Sequence, residues 1–93
     1  MSLRVVLAPA VTRQLRRIRP DQTLALRGVI LALGEDPHPP GSGKVAGSDL
    51  WRVRVRVDGV PWRIVYQVRE REGLIVIARV ARRDEATYRR LNR

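Results

Sequence analysis

Residues 50–68, LWRVRVRVDGVPWRIVYQV, constrain the fold more than any other stretch. Trp51, Val53, Val55 and Val57 share one parity and Arg52, Arg54 and Arg56 the other, which is the alternation of a strand with one buried face. Asp58-Gly59 follows, and both residues tolerate the positive φ of a type I′ turn, so a two-residue hairpin is expected. Beyond it Trp62, Ile64, Tyr66 and Val68 alternate with Arg63, Val65 and Gln67. A two-residue turn sets Val57 against Val60, Arg54 against Arg63 and Arg52 against Val65. Guanidinium groups therefore gather on one face, and Trp51, Trp62 and Tyr66 belong to the core face.

Like charges directly across a strand pair disfavour folding by about 0.2–1 kcal/mol. Two readings of the arginine face stand: a solvated surface on which long side chains splay apart, or an anion site whose guanidinium forks match phosphate oxygens.

The remaining chain bounds the alternatives. Ninety-three residues make one domain, residues 1–93, with a single modest core. Without Cys there is neither a disulfide nor a thiolate metal site, which fits a reducing cytoplasm. No apolar run approaches the ~18–20 residues of a membrane span, and the N-terminus is too short and polar for a signal peptide. A net charge of +10 favours polyanionic partners, nucleic acid above all. Lys44 is the single lysine, so position carries more information here than the choice of Arg.

Residues 3–7 are β-rich and end at Ala8-Pro9, where Pro9 suits a first helical turn. Val11, Leu15 and Ile18 then form an apolar helical stripe. Arg19-Pro20 breaks that helix, and Asp21 is the expected N-cap of a second one through Leu33. Leu26, Val29, Ile30 and Leu33 would form its core face, with Gly34 as its stop. Residues 35–49, rich in Pro and Gly, read as a connecting loop holding the one histidine, His38, as an exposed residue. A single His without Cys makes no usual zinc site. After the hairpin come a polar turn at 69–73 and a third β-rich run at 74–80, whose near-continuous apolarity suggests an interior strand. Residues 81–93 form a short charged tail carrying Tyr88. The expectation is an α+β domain: an N-terminal strand, a helical hairpin, then an antiparallel three-stranded meander, with two helices covering one sheet face and the arginine face open.

There is no Ser/His/Asp pattern, metal cluster, phosphate-binding glycine loop or pair of carboxylates in a recognisable context. What remains is Arg52, Arg54, Arg63, the Arg82-Arg83 pair and Tyr88. Arginines bind phosphate and stabilise a pentavalent phosphoryl transition state, and a tyrosine can stack on a base or hold a proton. That set fits RNA binding and RNA cleavage through the substrate's own 2′-hydroxyl.

The run WRVRVRVDGVPWRIVYQV followed by IARVARRDEATY resembles the core of the RelE/ParE superfamily of bacterial toxins. The shared pattern is an aromatic-Arg-hydrophobic-Arg strand, an aromatic-Arg-hydrophobic-hydrophobic-Tyr strand, and a last strand ending in Arg with a Tyr shortly after. Lys44-Val45-Ala46-Gly47 is similar to the family's K-L-x-G turn, and the likeness extends from about Leu3 to Tyr88. It implies the toxin of a type II toxin–antitoxin system, cytoplasmic, without cofactor or metal. In the RelE-like branch, such a toxin is an mRNA interferase that cleaves mRNA on the ribosome and inhibits translation, leaving a 2′,3′-cyclic phosphate. A cognate, RelB-like antitoxin would neutralise it. The likeness assigns catalysis to Arg63, Arg83 and Tyr88 and places Arg52 and Arg54 at the family's basic pair; Arg56, Arg82 and Lys44 are further candidates for phosphate or RNA contact. One departure stands out: the family's basic pair is lysine, one of them a proposed general base, whereas Arg52 and Arg54 stay protonated and make poor bases. The alternatives are a ParE-like toxin acting on DNA gyrase, or a non-catalytic nucleic-acid-binding member.

Overall fold

The computed structural model describes residues 2–83, as β1 (Arg4–Leu7), α1 (Pro9–Arg16), α2 (Pro20–Glu35), β2 (Ser42–Lys44), β3 (Leu50–Val57), β4 (Val60–Arg69), a 3-10 turn (Glu70–Glu72) and β5 (Leu74–Arg82). The five strands form one sheet in the order β1-β5-β4-β3-β2. All neighbours are antiparallel except β1, which runs parallel to β5 with Val5 opposite Ile75 and Leu7 opposite Ile77. The result is an α+β domain with both helices on one face of a mixed sheet. Among the described residues, no helix is long and apolar enough to cross a membrane.

The hairpin has the expected register: Val57 pairs with Val60, Arg54 with Arg63 and Arg52 with Val65. Asp58 and Gly59 both adopt positive φ, 50° and 80°, as a type I′ turn requires. Pairs then alternate along the ladder, so Arg56/Pro61 is not hydrogen-bonded. The N–H that Pro61 lacks would point toward β5, whose ladder with β4 ends one residue earlier at Trp62/Arg82. A proline is tolerated there because no ladder bond is lost.

Beneath the helices, Val11, Leu15, Leu26, Ile30 and Leu33 pack on Val53, Val57, Trp62, Ile64, Tyr66, Ile75, Ile77 and Val80. Two polar anchors sit inside this core. The buried Gln22 accepts from the Trp62 indole N–H at 2.9 Å and donates to the Val57 carbonyl at 3.2 Å. The Tyr66 hydroxyl donates to the Pro37 carbonyl at 2.7 Å, tying the proline-rich connection to the sheet. Burial, with the nearby Asp36 carboxylate, raises the Tyr66 pKa above its usual value, against the opposing effect of a hydrogen bond with Ser42.

Three expectations are corrected. Pro20 occupies the first turn of α2 and Arg19 the N-cap position, so Asp21 lies inside the first turn, paired with Arg19 at 3.3 Å. Gly34 is not a stop: α2 runs through Glu35, and a Cβ at Gly34 would lie 2.6 Å from the Leu3 carbonyl oxygen. Glycine lets β1 approach the helix, and the Leu3 N–H donates to the Gly34 carbonyl at 2.8 Å. The 35–49 connection contains a strand, β2, added at the sheet edge beside β3. The meander is thus part of a larger sheet, in which β5 lies inside, between β1 and β4, as its apolarity suggested.

β5 also carries a register shift. Tyr66 pairs with Ile77 and Val65 with Arg79, leaving Ala78 as an extra residue. Such a bulge exchanges the faces of everything beyond it. Val80 enters the core opposite Ile64, and Arg79 turns to the other face. β1 pairs with β5 only as far as Ile77, and beyond it the Val80 N–H donates to Gln14 Oε1 of α1 at 3.2 Å.

Candidate nucleic-acid face

The sheet face away from the helices carries Arg52, Arg54 and Arg56 from β3, Arg63 and Val65 from β4, and Arg79 and Ala81 from β5. Arg54 and Arg63 face one another directly, in a non-hydrogen-bonded pair whose Cα atoms approach to about 4.5 Å. Side chains in such pairs lie closer than in the hydrogen-bonded kind, so two fixed positive charges share the centre of this face. Arg54 is exposed and Arg63 half-buried.

Arg52 leans outward across β2. It pairs with Gly43, and a Cβ there would come within 3.0 Å of its guanidinium. Glycine at 43 therefore leaves the space that the Arg52 side chain fills. Arg56 reaches back to the turn, donating to the Gly59 carbonyl at 3.2 Å. No ion pair between described residues involves Arg52, Arg54 or Arg79. At the end of the sheet away from the hairpin turn, Asp49 accepts from Gln67 and Glu72 pairs with Arg69 at 3.2 Å. Gln67 stands four residues along β4 from Arg63, about 13 Å away. Arg54, Arg56 and Arg63 lie toward the hairpin turn, which carries the exposed Asp58.

The structure does not bring every candidate residue to this face. Lys44 pairs with Trp51 and shares its side of the sheet, the side opposite Arg52. Its ammonium sits 5.8 Å from the Trp51 ring centroid, with the exposed His38 ring 4.2 Å away from the same ring. A cation–π contact occupies it. Arg82 is also on the helix side, because the Ala78 bulge sets it opposite Trp62. There, with Arg17, Arg19 and Gln22, it lines a pocket of about 340 Å³ floored by Trp62 and Val60. Arg83 is half-buried and comes directly after β5. Tyr88 lies outside the described residues.

Arg79 is the cation that sequence reasoning missed. Plain alternation from Ile75 and Ile77 would bury Arg79 and expose Val80. A charge on the core parity beside an apolar residue on the outer one is the signature of a slipped register, and it was legible in the sequence.

Among the described residues, each cation of this face is an arginine. It can hold phosphates and stabilise added negative charge on them.

Comparisons with known proteins agree with this architecture. Residues 5–87 match the ParE toxin family of type II toxin–antitoxin systems, parDE. A comparison with curated proteins finds no match. Among solved structures, a double mutant of the Escherichia coli toxin RelE in the free state superposes with a TM-score of 0.74 at 17% identity, covering 94% of this chain and 90% of that one. The toxin in the intact E. coli RelBE toxin–antitoxin complex gives 0.72 at 18% identity, over 87% and 96% of the two chains. The RelBE2 toxin–antitoxin complex of Mycobacterium tuberculosis gives 0.71 at 19%, over 89% and 93%. At these identities the structures establish the shared fold, and the family match spans nearly the whole sequence. The chain belongs to the RelE/ParE superfamily of toxins of type II toxin–antitoxin systems.

Proposed function

We propose that this toxin is an mRNA endoribonuclease that acts on translating ribosomes and is held inactive by a cognate antitoxin. The observation that carries the reading is the Arg54–Arg63 pair at the centre of the sheet face away from the helices. Like charges directly across a strand pair disfavour folding, and a bound phosphate reverses the sign of that interaction.

The reaction is attack of a ribose 2′-oxygen on the adjacent phosphorus. A P–O bond forms to the 2′-oxygen and the P–O5′ bond breaks, giving a 2′,3′-cyclic phosphate and a 5′-hydroxyl. Charge accumulates on the non-bridging oxygens of the pentavalent species, where Arg63 and Arg54 act by stabilising it. Arg52 holds the neighbouring chain. Arginine keeps its own protons, so the 2′-hydroxyl proton leaves to another group. Tyr88 is the titratable residue that the family resemblance assigns to the site; Arg83 hydrogen-bonds the leaving 5′-oxygen, which takes its proton from water. With arginine in both positions of the family's basic pair, positioning and electrostatic stabilisation supply most of the rate. The likeness to proteins solved in toxin–antitoxin complexes supports an antitoxin partner.

Primer extension on a reporter mRNA, after induction of the toxin in cells, tests the reading with Arg63→Ala as control. Cuts inside translated codons that disappear in the variant are the expected result. Growth arrest with intact mRNA overturns it and points to a target other than mRNA, such as DNA gyrase.

A further inference from the structure

We infer that Arg79 forms a second phosphate subsite on the β5 side of the Arg54–Arg63 pair, so that the open face grips consecutive phosphates of one RNA strand. The inference rests on the RNA-cleaving reading above and extends it to how the strand is laid across the sheet.

The register carries it. Ala81 is the partner of Arg63, so Arg79, two residues earlier on β5, is the diagonal neighbour of Arg63. Diagonal positions across a strand pair lie about 7–8 Å apart, a separation that one nucleotide of an extended strand spans. On the opposite flank, Arg52 lies two residues along β3 from Arg54, about 6.6 Å, with its guanidinium over Gly43. The cations thus trace an arc across four strands: Arg79, Arg63 with Arg54, then Arg52. Within the bend of that arc is Val65, flanked in its own row by Arg52 on β3 and Arg79 on β5. A half-buried apolar side chain surrounded by guanidinium groups offers a surface for the face of a base, the usual companion of a backbone-tracking groove.

Arg79 is also placed to be available. It is exposed, and no ion pair between described residues involves it. It reaches this face because of the single-residue bulge at Ala78, and bulges re-aim side chains next to functional sites. A regular β5 would have turned Arg79 toward the helices and set Val80 and Arg82 on this face instead, so the bulge decides that Arg79 is the arginine beside Arg63.

The test uses the full chain and a single-stranded oligoribonucleotide, 2′-O-methylated throughout to prevent cleavage, with binding read by fluorescence anisotropy across a salt series. Each phosphate contact contributes about 0.7 to the slope of log affinity against log salt for a single strand. Arg79→Gln is expected to lower the slope by about that amount and to weaken binding about two- to fivefold, the range of an exposed ion pair. Arg79→Lys keeps the charge and most of the slope. A neutral methylphosphonate linkage moved along the oligonucleotide is expected to weaken wild-type binding at adjacent linkages, one of which becomes silent in Arg79→Gln. If Arg54→Gln lowers the slope while Arg79→Gln leaves it unchanged, the second subsite is refuted and the RNA face stands. If neither variant changes it, or the wild type does not bind, the RNA-binding reading falls with the subsite.

Discussion

The two faces of the sheet are made from the same strands, residue by residue in alternation, yet they obey opposite rules. On the helix side each side chain is fixed by what it touches: Ile64, Tyr66, Ile75 and Ile77 are fully buried. Even the polar Gln22 and Tyr66 are satisfied by hydrogen bonds. Burying each such apolar side chain contributes roughly 1.5–3 kcal/mol. On the open side, the direct neighbour of Arg54 is another arginine, an arrangement that costs about 0.2–1 kcal/mol. A fold stabilised through one face tolerates a smaller penalty on the other. The period of two lets one short hairpin carry both, because the packed face and the arginine face are separated by parity rather than by position along the chain.

The largest test of this division is Ile64→Ala. Ile64 is wholly buried between Val53 and Val80 on the central strand β4, and its truncation is expected to cost about 2–5 kcal/mol, measured by urea denaturation. A loss below about 1 kcal/mol would mean that the covered face is not the source of stability.

A smaller effect distinguishes two glycines of the same helix. Alanine ordinarily stabilises an exposed helical position by about 0.5–1 kcal/mol over glycine. Gly28 has nothing within 4 Å of an added Cβ, so Gly28→Ala should show that gain. At Gly34 the Cβ would meet the Leu3 carbonyl at 2.6 Å and Val5 Cγ2 at 3.1 Å. Backbone cannot step aside as a side-chain end can, so Gly34→Ala should destabilise by about 1–3 kcal/mol. Opposite signs for the two substitutions, read from thermal or urea unfolding, are the expected outcome. The same sign would show that β1 is not seated against α2.

These residues also show where the fold was legible in the sequence. The hairpin could be read to the residue, because Asp58-Gly59 fixes the turn and the turn fixes every pair beyond it. The helical stripes were legible from their period. Gly34 misled, since a glycine near a helix end has two uses, termination and close approach, and only the position of β1 decides between them. β2 could not be read: three residues, Ser42-Gly43-Lys44, carry no alternation, and their strand character comes from pairing with β3. The placement of β1 beside β5 depends on contacts some 70 residues apart, beyond the reach of local pattern. The positions of the candidate arginines on the hairpin, Arg52, Arg54, Arg56 and Arg63, were legible from its register. Those of the other candidates depended on further elements: Lys44 lies on the Trp51 side, Arg82 on the helix side, and Arg79 enters the arginine face through the Ala78 bulge.

The smallest predicted change in stability tests the comparison most directly. Arg54 is exposed, has no ion pair with a described residue, and faces the like charge of Arg63 at close range. Replacing it with glutamine keeps much of the side-chain volume and removes one of the two charges. Relief of the cross-strand repulsion is expected to raise stability by about 0.2–1 kcal/mol. The gain should shrink as salt screens the repulsion in the wild type. In the same variant, mRNA cleavage in cells and oligonucleotide binding should both fall. Stability and function moving in opposite directions is the mark of a charge kept for a ligand rather than for the fold. Were Arg54→Gln to lower both together, the arginine would be part of what holds the sheet, and the separation of the two faces by parity would fail at its centre.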